Sequence, residues 1–266
     1  MPAIYWGWAR SPSRRSDALA RVARRLENRT ALITGANRGI GLAIAKAYAT
    51  EGARLLLAGR REDALKKVHS EIAAVGGDAK LFTAELEDPD SVRKLADAVA
   101  AAVPQLDIFV ANAASLGARV PLIRYPLDTW IQTFKINVNA NLILLGALDP
   151  LLKKSDSARI IVLSAGVARQ GKATTGSYAV SKAALEAMVR IYAVECAGTP
   201  IRINIVNPGP TRTEMRARAA PDEDPMTLKT PDDIAPLFVE LGMRECQRQA
   251  DWINADAWFA ERRNRA

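Results

Sequence analysis

Between about residues 30 and 206 the chain alternates short apolar runs with longer stretches in which apolar residues recur every three or four positions. The runs 31–34, 53–58, 79–83, 106–111, 158–163 and 201–206 have strand length and composition. Between them, Ile40, Ala43, Ile44, Ala47 and Tyr48 fall at helical spacing. Residues 62–75 form an amphipathic pattern stopped by Gly76-Gly77, and 89–103, 128–152 and 176–196 are further helical stretches. Six apolar strands alternating with helices predict an α/β fold with a parallel sheet covered on both faces. Right-handed crossovers make it a doubly wound single domain. After Pro208 the pattern is irregular and rich in Pro, Arg and Asp as far as about Asp233, the composition of a segment that covers a substrate pocket.

Composition changes the picture at the ends more than in the body. Of 266 residues, 49% are hydrophobic and 25% charged, which suits a soluble globular chain. No apolar run reaches the length needed to cross a bilayer, so no membrane span is expected. The net charge is +8, but residues 1–29 hold seven arginines against Asp17 and Glu27, or +5, leaving +3 for the rest. The basic excess belongs to a leader, and a nucleic-acid-binding body is not expected. Residues 1–27 read as a basic, disordered extension, 28–260 as the folded domain and 261–266 as a frayed tail. The extension lacks a secretory apolar region, so a cytoplasmic chain is expected; an organellar transit segment or a short surface-binding helix are the other readings of it. Cys196, Cys246 and the single His69 exclude a disulfide framework, a cysteine zinc site and a multi-histidine metal site. His69 sits on the polar face of its helix, and Glu195 and Cys196 end another.

Two motifs carry chemistry. Thr34-Gly-Ala-Asn-Arg-Gly-Ile-Gly41 lies where a strand meets a helix. Its glycines permit close backbone approach, and the free N–H groups of the helix start face a phosphate. Tyr178-Ala-Val-Ser-Lys182 puts a phenol and an ammonium on one helical face. A nearby ammonium lowers a phenol's pKa towards acid–base usefulness.

The glycine spacing T-G-x-x-x-G-x-G, followed in order by Tyr-x-x-x-Lys, resembles the short-chain dehydrogenase/reductase family over about residues 30–233. The resemblance implies a Rossmann fold and an oxidoreductase that moves hydride between a nicotinamide cofactor and a carbonyl or alcohol carbon of a small molecule. It implies cofactor contacts from Gly35, Asn37, Arg38, Gly39, Ile40 and Gly41. Glu85 and Leu86 would meet the adenine, and Asn112, Ala113 and Ala114 would lie beside the cofactor with Asn112 steadying the sheet. Pro208, Gly209, Thr211 and Thr213 would line the nicotinamide. Gly59 stands where the family's NAD-selecting acid would be, and Arg38 and Arg60 suit a 2′-phosphate, so the expected cofactor is NADP(H). Tyr178 is implied as general acid/base, Lys182 as the residue that tunes it and binds the ribose, and Asn137 as the relay asparagine, with Asn139 and Asn141 as neighbouring alternatives. A homo-oligomer, dimer or tetramer, is implied as well. No glycine follows Gly242, which departs from the family's usual C-terminal strand.

One departure bears on turnover. The family's catalytic serine lies thirteen residues before the tyrosine, and that position is Ala165. Three readings follow: Ser164 substitutes, with Ser177 and Thr174 as further hydroxyls on the loop; the enzyme works slowly or on an activated substrate; or the protein is a non-catalytic NADP(H)-binding relative.

Overall fold

The computed structural model describes residues 24–263. Its first half builds β1 (Thr30–Thr34), α1 (Gly39–Thr50), β2 (Arg54–Gly59), α2 (Glu62–Ala74), β3 (Asp78–Thr83), α3 (Pro89–Ala102) and β4 (Ile108–Ala111). The second half adds α4 (Leu127–Phe134), α5 (Ala140–Leu152), β5 (Arg159–Leu163), α6 (Gly176–Glu195), β6 (Arg202–Asn207), α7 (Glu214–Ala219), α8 (Pro231–Gly242), β7 (Trp252–Asn254) and α9 (Ala255–Arg263). The strands form one seven-stranded sheet in the order β3-β2-β1-β4-β5-β6-β7, and every pairing is parallel. The strand order reverses between β1 and β4, and such a switch point opens a ligand crevice at the carboxyl ends of the strands.

Neighbouring strand residues face opposite sides of the sheet. Leu32, Phe109, Ile160 and Ile203 enter one core with residues of α3, α5 and α6. Ile33, Val110, Ile161 and Val206 enter the other with residues of α1, α2 and α8. This two-sided burial is why the strands read as unbroken apolar runs.

The six predicted strands and the helices between them are all present, with ends moved by one or two residues. The region after Pro208 is more regular than expected. Thr230 and Asp233 form a capping box at the start of α8, with Pro231 in its first turn. Only three residues of β7 pair with β6, too short a run to signal itself by pattern. The domain limits also need correction. Leu26 is fully buried in the core beside α1, its N–H donates to the Glu51 carbonyl at 3.0 Å, and Arg25 binds the Glu51 carboxylate. The fold therefore takes in residues expected to belong to the extension; the rest of that expectation, residues 1–23, lies outside the described residues. At the other end α9 runs to Arg263, and Arg262 pairs with Glu240 and lies 4.9 Å from the centre of the Trp258 ring. Residues 264–266 lie outside the described residues. Among the described residues no helix is long and apolar enough to cross a membrane, and no cluster of three potential metal ligands occurs.

Candidate active site

The glycine loop is a cradle that side chains would fill. A Cβ on Gly41 would stand 2.3 Å from the Gly35 carbonyl oxygen and 2.5 Å from Asn112 Nδ2. Asn112 clamps the loop: its Nδ2 donates to the carbonyls of Thr34 at 2.8 Å and Gly35 at 3.1 Å. The backbone N–H groups of Asn112 and Ala113 donate to Thr34 Oγ1. Asn112 thus ties β1 to β4 at the switch point, and Ala113 and Ala114 follow it in the chain.

At the tip of β2, Gly59 is buried; a Cβ there would stand 3.2 Å from Leu65 and 3.4 Å from Asn37 Oδ1. A side chain at this position would press on the Leu65 methyl and touch Asn37. Arg60 follows it and is exposed. Arg38 is exposed too, but its guanidinium pairs with Glu214 of α7 rather than converging on Arg60. Glu85 and Leu86 follow β3; the Glu85 N–H donates to Ser91 Oγ at 2.9 Å, and Leu86 packs on the core.

The opposite wall is the segment after β6. Gly209 adopts φ +65°, and its N–H donates to Asn207 Oδ1 at 3.1 Å. Thr211 Oγ1 donates to the Pro208 carbonyl at 3.2 Å. Thr213 caps α7 by accepting from the Arg216 N–H at 3.1 Å. Its methyl would meet a Cβ on Gly39 at 3.3 Å, so this wall closes over the glycine loop. Ile40 is partly buried beside it.

Tyr178 and Lys182 lie one turn apart on α6. Lys182 is 2% exposed and its Nζ donates to the Leu163 carbonyl, the last of β5, at 2.6 Å. Burial lowers its pKa to about 8, opposed by the charge of Glu186. Tyr178 is only partly exposed, and burial raises its pKa to about 12. The expected depression of the phenol by the ammonium is therefore not found: in the protein alone, Lys182 spends a proton on Leu163 and desolvation governs Tyr178.

Asn137 sits in a π-helical turn, Lys135–Asn139, that joins α4 to α5. This single wider turn is what a helix pattern over 128–152 could not reveal. The Asn137 side chain is fully buried, accepts from the Ser115 N–H at 2.7 Å, and donates to the Ser115 carbonyl at 3.0 Å and to Ser181 Oγ at 2.9 Å. It therefore joins the loop after β4 to α6. Asn141 instead donates to the Asn137 carbonyl at 2.9 Å, and Asn139 belongs to the π turn.

Ser164, one of the hydroxyls expected to substitute for the family's serine, is engaged elsewhere. It is 2% exposed and its Oγ donates to Glu186 Oε1 at 2.6 Å. The cause is the one-residue offset: neighbouring residues of an extended segment point to opposite sides. Ala165, also extended (φ −156°, ψ 151°), takes the alternate direction and carries no hydroxyl. Ser177 is committed as well, its Oγ 2.6 Å from the Tyr125 hydroxyl, which accepts from the Ala118 N–H at 2.7 Å. Thr174 adopts φ +62° at the turn before α6. Exposed His69 on α2 stands apart from these groups. Sequence reasoning missed Glu186, Tyr125 and Glu214, because each matters through a partner distant in sequence.

The chain has relatives among known proteins. The short chain dehydrogenase family model matches residues 29–224. The uncharacterized oxidoreductase YciK of Escherichia coli is 40% identical over 235 residues, covering 87% of this chain and 92% of that one. A rhamnolipids biosynthesis 3-oxoacyl-[acyl-carrier-protein] reductase of Pseudomonas aeruginosa is 33% identical over 219 residues, 80% of this chain and 83% of its own. Among solved structures, a Shigella flexneri short chain dehydrogenase complexed with NADP superposes with a TM-score of 0.84 at 39% identity, covering 88% of this chain and 99% of that one. An Escherichia coli short chain dehydrogenase complexed with NADPH gives 0.83 at 39% identity, with 88% and 98% covered. The chain is a member of the short-chain dehydrogenase family of oxidoreductases.

Proposed function

We propose that the protein is an NADP(H)-dependent oxidoreductase acting on a carbonyl or alcohol group of a small molecule, with Tyr178 as its general acid/base. The observation that carries this reading is buried Lys182, fixed to the end of β5 and one turn from Tyr178, at the carboxyl edge of the sheet beside the glycine cradle. The cradle fits a dinucleotide: a Cβ on Gly41 would collide with backbone, so the position is kept open for close approach. Gly35, Asn37, Arg38, Gly39, Ile40 and Gly41 would hold the phosphates and adenosine, Glu85 and Leu86 the adenine, and Asn112, Ala113 and Ala114 the floor. Pro208, Gly209, Thr211 and Thr213 would hold the nicotinamide end. With no acid at Gly59 and exposed Arg60 after it, the tip of β2 favours the 2′-phosphate over a free hydroxyl, and the NADP and NADPH complexes of the two relatives point the same way.

Bound NADPH supplies the hydride. Tyr178, protonated across neutral pH because burial raises its pKa, gives its proton to the substrate oxygen. Lys182 holds the ribose and the positive charge beside that tyrosine, and Asn137 holds the relay end of α6 through Ser181. With Ser164 turned to Glu186, the substrate oxygen receives one donor where the family supplies two. Slow turnover, or use of an activated carbonyl, follows from that loss. The same observation favours one other reading, a protein that binds NADP(H) without turning it over.

The test is an NADPH titration by fluorescence followed by a panel of aldehydes, ketones and quinones in the same sample. Binding with oxidation of NADPH that vanishes in Tyr178→Phe supports the enzyme. Binding without oxidation on any member supports the non-catalytic reading. Absence of binding overturns both.

A further inference from the structure

Behind the catalytic pair lies a second polar cluster that the proposed chemistry does not use. Glu186 is one helical turn beyond Lys182 and 2% exposed. A buried carboxylate is costly unless its lone pairs are filled. Here they are filled by four donors. Ser164 Oγ, at the end of β5, donates to Oε1 at 2.6 Å. Trp252 Nε1, from β7, donates to the same oxygen at 3.0 Å. Arg169 Nε, from the turn that starts at Ala165, and the Arg190 guanidinium, a turn further along α6, donate to Oε2 at 2.9 and 2.5 Å. The Arg169 guanidinium also lies 4.4 Å from the centre of the Trp252 ring. One carboxylate thus joins α6, the end of β5, the turn beside the reaction centre and the edge strand.

We propose that Glu186 is a positioning residue: it captures the Ser164 hydroxyl, braces the turn that carries Ala165, and supplies Lys182 with its countercharge. The inference rests on the reading that Tyr178 and Lys182 perform the chemistry. Two effects are joined in it. Capture of Ser164 explains why the hydroxyl adjacent to Ala165 is lost to the substrate. The countercharge explains how Lys182 stays a cation in a site whose burial works against it, since the Glu186 charge opposes that loss. Burial would push Glu186 towards its neutral form, but the hydrogen bonds from Ser164, Arg169 and Trp252 outweigh it and hold its pKa below the ordinary value. The charged groups bonded to the Glu186 carboxylate are Arg169 from the turn and Arg190 from α6 itself; β5 and β7 contribute the neutral donors Ser164 and Trp252.

The experiment follows the Lys182 side chain by lysine-selective 13C NMR of the full chain, with the Lys182 Cε signal assigned by its loss in Lys182→Arg. Glu186→Gln keeps the shape and removes the charge; the Lys182 midpoint is expected to fall by about one pH unit. Arg169→Met with Arg190→Met removes two nearby cations and is expected to raise it. A brace without electrostatic action would move neither midpoint. Unmoved midpoints in both folded variants overturn the proposal, and so does a shift of the same sign in both. If Glu186→Gln loses its near-ultraviolet dichroism, the arginine pair decides alone: a rise supports the proposal and no rise overturns it. Full NADPH oxidation by Tyr178→Phe would sink the chemical reading without touching these midpoints, so the two failures are told apart.

Discussion

The two halves of the sheet solve different problems. The β1–β4 half presents backbone: a carbonyl of Gly35, N–H groups of the α1 start, and an asparagine that holds them in place. The β5–β7 half presents side chains: Tyr178, Lys182, Asn137 and, behind them, Glu186 with its four donors. Backbone sites need an absence of side chain, so their tolerance for change is small and their signature is a run of glycines. Side-chain sites depend on where single hydroxyls point, and Ser164 points to Glu186. In the proposed reading the cofactor lies on the first half and the proton chemistry on the second.

The strongest way to break this contrast is Tyr178→Phe. Removing the general acid is expected to lower turnover by about 10²–10⁴-fold while NADPH affinity stays within a factor of about two. Stopped-flow oxidation of NADPH together with a fluorescence titration checks both. An equal loss of affinity would mean the two halves are not separable.

Next comes the cofactor half itself. Arg60→Asp places a like charge against the 2′-phosphate and removes a donor, which is expected to reduce NADPH affinity relative to NADH by about tenfold or more. Parallel titrations with the two cofactors decide it. An unchanged ratio would leave Arg38 as the whole of the phosphate clamp.

Ala165→Ser sharpens the comparison from the other side. Ala165 already has the extended conformation that a serine adopts without strain. Loss of one such donor costs about 10²–10³ in rate elsewhere, so adding one here is expected to raise kcat by about tenfold. NADPH affinity should not move. If kcat is unchanged, the missing hydroxyl is not what limits the reaction.

The pH dependence follows from the same half. Lys182 is cationic below about 8 and neutral above it, while Tyr178 keeps its proton to about 12. Reduction measured as kcat/KM is therefore expected to be level through neutrality and to fall above pH 8, by up to about tenfold per unit. Stability carries the opposite sign. Lys182 is lowered from 10.5 on folding, so between about 8 and 10.5 the unfolded chain binds more protons, and this residue's contribution rises with pH across that window.

How much of this was legible in the sequence also divides along the sheet. Ile33, Val110 and Ile161 face one core and Leu32, Phe109 and Ile160 the other, so every central strand is apolar throughout and declares itself. The glycine loop and Tyr178 with Lys182 are local in sequence and were readable for the same reason. Asn137 was readable as a residue but not as the occupant of a π turn, because one added residue in a helical turn leaves the apolar pattern almost unchanged. Glu186 was not readable: its partners Ser164, Arg169 and Trp252 are 22, 17 and 66 residues away. Leu26 was hidden by the arginines around it, although its own side chain is as buried as any in the core.

The smallest expected effect lies where the halves touch. Arg38, from the glycine loop, pairs with Glu214, from the helix after β6, and the two side chains are 51% and 60% exposed. An exposed pair of this kind contributes about 0.2–1 kcal/mol. The same guanidinium is one of the two proposed for the 2′-phosphate, so Glu214 and the phosphate compete for it. Glu214→Gln removes the competitor and is expected to tighten NADPH by about two- to fivefold, with NADH unchanged because it brings no 2′-phosphate to Arg38. Adding Arg38→Ala should abolish the gain, since the residue competed for is then gone. Tightening of both cofactors alike would show instead that the pair restrains α7 and not the phosphate site.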